Sequence, residues 1–158
     1  MGIDYGKVVV NGVLSKDYDL TTIDDTSRSA TPTISFNDGY IRIRWSNYDE
    51  CGIAVGKIDF TRYTTLHIEI SGAMGEDYIH TRVFSISSAT SYWVSDSDGS
   101  GDVIVYKSVG GRTMPKATYE IDVTNVIGEY YLKFCATCWA DISDYNIYNI
   151  WLSKDSVS

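Results

Sequence analysis

The chain predicts an all-β protein, an antiparallel jelly-roll β-sandwich, on three observations. Apolar and polar residues alternate along most of its length, turn residues recur about every 8 to 12 positions, and no stretch sustains a helical period. Composition agrees, because 13 Tyr, 13 Gly and only 2 Pro in 158 residues, with 44% hydrophobic and 13% aromatic residues, favour strands and tight turns over helices or disorder. Parallel sheets would need crossover helices, for which no segment is suited. Two antiparallel sheets, each with one dry face, must therefore cover one another.

The elements follow in order. Residues 7–14 are an apolar run interrupted by Asn11-Gly12, a signal for a two-residue hairpin or a bulge. Residues 15–30 turn to Asp, Thr and Ser without a period, so 1–30 reads as an N-terminal ribbon and connection, and 31–158 as the sandwich domain. Residues 33–36, the turn Asn37-Asp38-Gly39 and residues 40–45 make the clearest hairpin, with Ile41, Ile43 and Trp45 on one face and Arg42 and Arg44 on the other. A short strand at 53–55 leads into a single turn at 58–63. In residues 65–70, Leu66, Ile68 and Ile70 point inward and His67 and Glu69 outward. Further strands are expected at 78–87, 91–94, 103–107, 117–123, 129–135 and 147–152. The predicted core contains Ile41, Ile43, Leu66, Ile68, Ile121, Leu132 and Ile150.

Charge excludes several functions. Thirteen basic against 21 acidic residues give a net charge of −8, the wrong sign for binding nucleic acid or an anionic membrane surface. No apolar run approaches the roughly 20 residues of a membrane helix, so no membrane insertion is expected. Residues 1–6 carry an acid where a signal peptide has basic and apolar regions. Three cysteines, Cys51, Cys135 and Cys138, with no N-glycosylation sequon, suit a reducing compartment. Cys135 and Cys138 are expected not to be bridged, since three residues along a strand span about 10 Å.

Catalytic chemistry finds no support either. His67 and His80 are the only histidines, no Gly-x-Ser-x-Gly elbow is present, and no carboxylate pair sits in an apolar setting. Gly52-Ile-Ala-Val-Gly56-Lys57 is too short for a phosphate loop and opens no helix. The protein is read as a non-enzyme. Asp96, Asp98 and Asp102 form a weak Ca²⁺ candidate in a glycine-rich loop, against the plainer reading of a solvated hairpin tip; no other cofactor is expected.

Four segments carry a resemblance: Ile58-Asp-Phe-Thr-Arg-Tyr-Thr-Thr-Leu, Tyr119-Glu-Ile-Asp-Val-Thr, Gly128-Glu-Tyr-Tyr-Leu-Lys-Phe and Ile147-Tyr-Asn-Ile-Trp-Leu. Together they resemble jelly-roll, carbohydrate-binding-like modules of bacterial surface proteins, cellulolytic enzymes and phage tail or virion proteins. The resemblance lies in framework positions over residues 31–152 and implies the fold more than the function. It implies a non-enzymatic module that attaches to glycan or to a neighbouring virion subunit. With no leader apparent, the expected place is a virion assembled in the host cytoplasm; the alternative is a bacterial cell-surface protein or a binding module of a polysaccharide-degrading enzyme.

Parity singles out the residues that would meet a ligand. Alternation leaves Arg42, Arg44, His67, Tyr131, Trp151 and Trp93 outside the core, and Arg42 and Arg44 stand about 7 Å apart on one face. Sugar rings stack their C–H faces on aromatic rings, and their hydroxyls bond to Arg, Asn and acidic groups. The same outward rings also suit a subunit interface, including that of a homo-oligomer.

Overall fold

The computed structural model describes residues 5–23, 31–46, 50–74, 82–90, 103–109, 113–137 and 142–154. Among them are twelve strands and no helix: β1 (Tyr5–Val10), β2 (Val13–Leu14), β3 (Asp19–Ile23), β4 (Thr33–Asn37), β5 (Tyr40–Ser46), β6 (Glu50–Asp59), β7 (Thr65–Met74), β8 (Arg82–Ser87), β9 (Val103–Val109), β10 (Thr113–Asp122), β11 (Glu129–Thr137) and β12 (Ile142–Ser153). They form two antiparallel sheets, a β-sandwich of jelly-roll type. The five-stranded sheet has the order β3-β6-β11-β8-β9. The seven-stranded sheet runs β10-β7-β12, and the far edge of β12 is shared by two hairpins. Its first half pairs with β5 of the β4–β5 hairpin, its second half with β1 of the β1–β2 hairpin.

Period-two apolar residues build the core. Ile41, Ile43, Leu66, Ile68, Ile70, Ile147, Ile150 and Leu152 come from the seven-stranded sheet, and Ile53, Val55, Ile58, Phe84, Ile86, Leu132 and Phe134 from the other. Each is essentially fully buried, a contribution of about 1.5 to 3 kcal/mol per large side chain. All seven predicted core residues lie in this one cluster.

The N-terminal segment, read from the sequence as a ribbon and connection, is built into the sandwich. β1 pairs with β12, and β3 pairs with β6 from Asp19↔Gly56 to Ile23↔Gly52, so residues 5–23 supply strands to both sheets. The sequence Asp19-Leu-Thr-Thr-Ile23 holds few apolar residues because it is an edge strand; Leu20 packs against the main core while Ile23 is buried on the opposite face. The glycine run considered as a phosphate loop lies inside β6, paired on both sides. The expected strand at 91–94 lies outside the described residues.

The segments that carry the resemblance are structural devices. At the end of β6, Asp59 Oδ1 accepts the Thr61 backbone N–H at 3.0 Å; at the end of β10, Asp122 Oδ1 accepts the Thr124 N–H at 2.9 Å and its hydroxyl at 2.6 Å. Between each Asp and Thr an apolar residue, Phe60 or Val123, is driven into the core. The Gly128 N–H donates to Thr61 Oγ1 and the Phe60 N–H to the Gly128 carbonyl, which locks the first turn to the start of β11.

The Thr61 and Thr124 hydroxyls, then their backbone N–H groups, hold both carboxyls below the ordinary aspartate value of 3.8. A folded-state value below the unfolded one stabilises the fold above the unfolded value, and that stabilisation is lost as pH falls through the folded value. Replacing Asp122 by Asn should therefore lower the melting temperature near neutral pH, and the gap from the wild type should close as pH drops below 3.8. A thermal melt series in which the gap stays constant to about pH 2 would contradict this.

Candidate functional site

Alternation gives each sheet an outward face, and the two differ in chemistry. On the seven-stranded sheet β12 carries most of the outward groups. Ile147 faces Ile70 and Asn149 faces Glu69, so one extra residue enters β12 here. This bulge puts Tyr148 and Asn149 together on the outer face, between inward Ile147 and Ile150. The face thus runs Asp144, Asn146, Tyr148, Asn149, Trp151 along a single strand.

Its side chains are tied to one another. Arg42 Nη2 donates to Asp144 Oδ2 at 3.1 Å. Asn146 Nδ2 donates to Ser71 Oγ at 3.4 Å, and Ser71 Oγ meets the Tyr148 hydroxyl at 2.9 Å. Asn149 donates to Glu69 Oε1 at 2.8 Å and accepts the Asn11 backbone N–H at 2.9 Å. The Trp151 indole stacks on His67 with ring centroids 4.7 Å apart and planes 4° from parallel. His67 Nε2 lies 2.7 Å from Ser153 Oγ, and its Nδ1 3.5 Å from Glu120 Oε1. The Lys116 ammonium sits 4.1 Å from the centroid of the Tyr148 ring, and the Tyr40 ring is centred 6.2 Å from it.

The outer face of the five-stranded sheet is largely covered. Ala54, Lys133, Ser85, Val83 and Cys135 point away from the main core, yet each is buried. At the row where Asp19, Gly56 and Tyr131 stand side by side the face opens into a cleft of about 340 Å³, lined by Asp19, Thr21, Thr22, Gly56, Thr90 and Tyr131. Gly56 is required by close approach, since a Cβ there would lie 2.8 Å from Tyr131 Cδ1. The Tyr131 ring therefore lies against the backbone of β6, with the Lys57 ammonium 5.6 Å from its centroid. Ser87, opposite Tyr131 on β8, is buried and its Oγ has no hydrogen-bond partner.

Four of the outward residues picked from the sequence, Arg42, Arg44, His67 and Trp151, share the face of the seven-stranded sheet. Tyr131 does not join them. Parity places it outside the core as expected, but β11 belongs to the other sheet, so it faces the opposite side of the sandwich. Lys133, which alternation with Leu132 and Phe134 also places outside the main core, is fully buried. Trp93 and the calcium candidates Asp96, Asp98 and Asp102 lie outside the described residues. Among the described residues no group of three or more His, Cys, Asp and Glu side chains is placed to hold a metal ion. Sequence reasoning missed Tyr148 and Asn149, since strict alternation cannot place both outward. Asp19 and Thr21 were missed because β3 was read as a connection.

No protein-family model and no curated protein sequence matches the chain. Solved structures match it in fold. A family 29 carbohydrate-binding module from Piromyces equi, CBM29_1, superposes with a TM-score of 0.59 at 13% identity, covering 99% of this chain and 93% of that one. A CBM29-2 mutant complexed with mannohexaose gives 0.57 at 14%, covering 99% and 95%, and another complexed with cellulohexaose gives 0.57 at 15%, covering 98% and 93%. The chain has the β-sandwich fold of carbohydrate-binding modules.

Proposed function

We propose that the protein is a non-enzymatic glycan-binding module whose cleft at Tyr131 receives a neutral saccharide. The observation that carries this is the cleft itself. It is a concavity of about 340 Å³ on the outer face of a sheet, lined by one tyrosine, one aspartate and three threonines, of which Thr22, opposite inward Ile53, turns its side chain to the core side. A sugar ring offers C–H groups to Tyr131 and hydroxyls to Asp19, Thr21 and Thr90. Solved structures with this fold carry mannohexaose or cellulohexaose, which gives the first ligands to try. Affinity electrophoresis through gels containing glucomannan or xylan should retard the protein. Tyr131→Ala should bind about tenfold more weakly, on the order of 1.4 kcal/mol, and Tyr131→Phe, which keeps the ring, should bind nearly as the wild type. Failure of every neutral polysaccharide to retard the wild type ends the reading.

A second reading, attachment to neighbouring subunits as on a virion, draws on a different observation. Val13 and Phe36 are 67% and 64% exposed on β2 and β4, the outer strands of the two hairpins. Sedimentation equilibrium at micromolar concentration tests it, and a single-chain mass removes it.

A further inference from the structure

We infer that the outer face of the seven-stranded sheet is a second glycan-binding surface, which makes the module bivalent for polysaccharide. It is carried by residues other than those of the cleft. From Asp144 to Trp151 the face extends about 23 Å at ~3.3 Å per residue, a track for an oligosaccharide chain. Along it the rings of Trp151, Tyr148 and Tyr40 alternate with the amides of Asn149 and Asn146.

The face selects the ligand by its charges. Arg42 is answered by Asp144, His67 stands beside Glu120, and Lys116 lies over Tyr148. A charged ligand drawn to Arg42, His67 or Lys116 would have to break these contacts, and the net charge of −8 opposes an acidic polysaccharide at Arg44. A neutral, polyhydroxylated chain meets no such cost. Arg42 and Asn146 stand directly opposite each other, and Arg42 Nε and Asn146 Oδ1 have no hydrogen-bond partner. Both atoms are buried beneath the face, so a ligand hydroxyl bonds them, accepting from Nε and donating to Oδ1, only where the two side chains shift to admit it. A protein partner suits the face less well, because its rings are each hemmed by polar side chains, whereas interface cores exclude them.

Two ligand surfaces on opposite sides of a sandwich cannot close on one short oligosaccharide, but they can hold two polysaccharide chains. The wild type, as a monomer, should make a glucomannan solution turbid. Trp151→Ala, Tyr148→Ala and Tyr131→Ala should each abolish turbidity and retain binding, weaker by about tenfold. The Trp151→Ala/Tyr131→Ala double variant should not bind. Tyr148→Ala gives the reading if Trp151→Ala fails to fold. Turbidity that survives both Trp151→Ala and Tyr148→Ala overturns the second surface. If Tyr131→Ala alone removes all binding, the cleft reading stands and this one falls; if Trp151→Ala alone does so, this surface stands and the cleft falls. A wild type of twice the chain's mass that Trp151→Ala turns into a monomer makes the face a subunit contact and overturns the proposal.

Discussion

Replacing Tyr145 by Ala should cost about 3 to 5 kcal/mol of unfolding free energy, the range for deleting a large buried aromatic ring. Tyr145 is fully buried on β12. Its ring lies 6.2 Å from Phe84 and 6.1 Å from Phe134, which themselves meet edge to face at 5.3 Å. Phe84 and Phe134 belong to the five-stranded sheet, so this cluster is where aromatic packing joins the two layers. The hydroxyl is not idle, since it donates to the Cys135 carbonyl at 3.2 Å. Tyr145→Phe should accordingly lose only about 1 kcal/mol. Urea denaturation of both variants gives the comparison, and a loss below about 1 kcal/mol for Tyr145→Ala would mean that the core closes over the gap.

Much of the fold was legible because alternation needs only one strand at a time. Leu66, Ile68 and Ile70 declare their face whatever strand lies beside them, and so do Ile41 and Ile43. Asn11-Gly12 declared its turn because few residue pairs adopt positive φ, and here both do, at 49° and 76°. Parity also put Arg42, His67, Tyr131 and Trp151 outside the core. It could not assign Tyr131 and Trp151 to opposite sides of the molecule, because that depends on pairings between strands far apart in the chain, such as Tyr131↔Ser87 and Trp151↔His67. Asp19-Leu-Thr-Thr-Ile23 was illegible for a related reason: an edge strand with a polar outer face has the composition of a loop. The bulge at Tyr148 leaves no local mark at all. Lys133 shows the limit of parity most plainly, since pointing away from the main core did not make it exposed.

The order of the strands also explains why the resemblance pointed to a fold and left the site open. Asp59-Phe-Thr61 and Asp122-Val-Thr124 are turns that anchor an apolar residue and fasten strand ends. Their chemistry is used up by their own backbone bonds. Of the residues that build the cleft and the opposite face, Asp19 and Gly56 lie outside the four segments, and Tyr131, Tyr148 and Trp151 lie inside them at outward positions that take no part in those turns.

Replacing Gly12 by Val should destabilise the protein by about 3 kcal/mol or more, through strain at positive φ plus forced movement of backbone. A Cβ at Gly12 would overlap the Tyr40 backbone nitrogen and come within 2.5 Å of its Cα and 2.7 Å of the Gly39 carbonyl carbon. The tips of the β1–β2 and β4–β5 hairpins abut here, where β12 exchanges one neighbour for the other. The Gly12 N–H donates to the Tyr148 carbonyl at 2.9 Å, and the Asn11 N–H to Asn149 Oδ1, so the turn clamps the bulge that sets two outward residues of the face. The damage should therefore be local in function as well as large in stability. At a temperature where Gly12→Val remains folded, glucomannan turbidity should disappear while binding at the Tyr131 cleft persists. Val13→Ala, one residue along and 67% exposed, should change neither. A Gly12→Val protein as stable as the wild type would show that the two hairpin tips can separate without cost, and the clamp would then have no part in shaping the face.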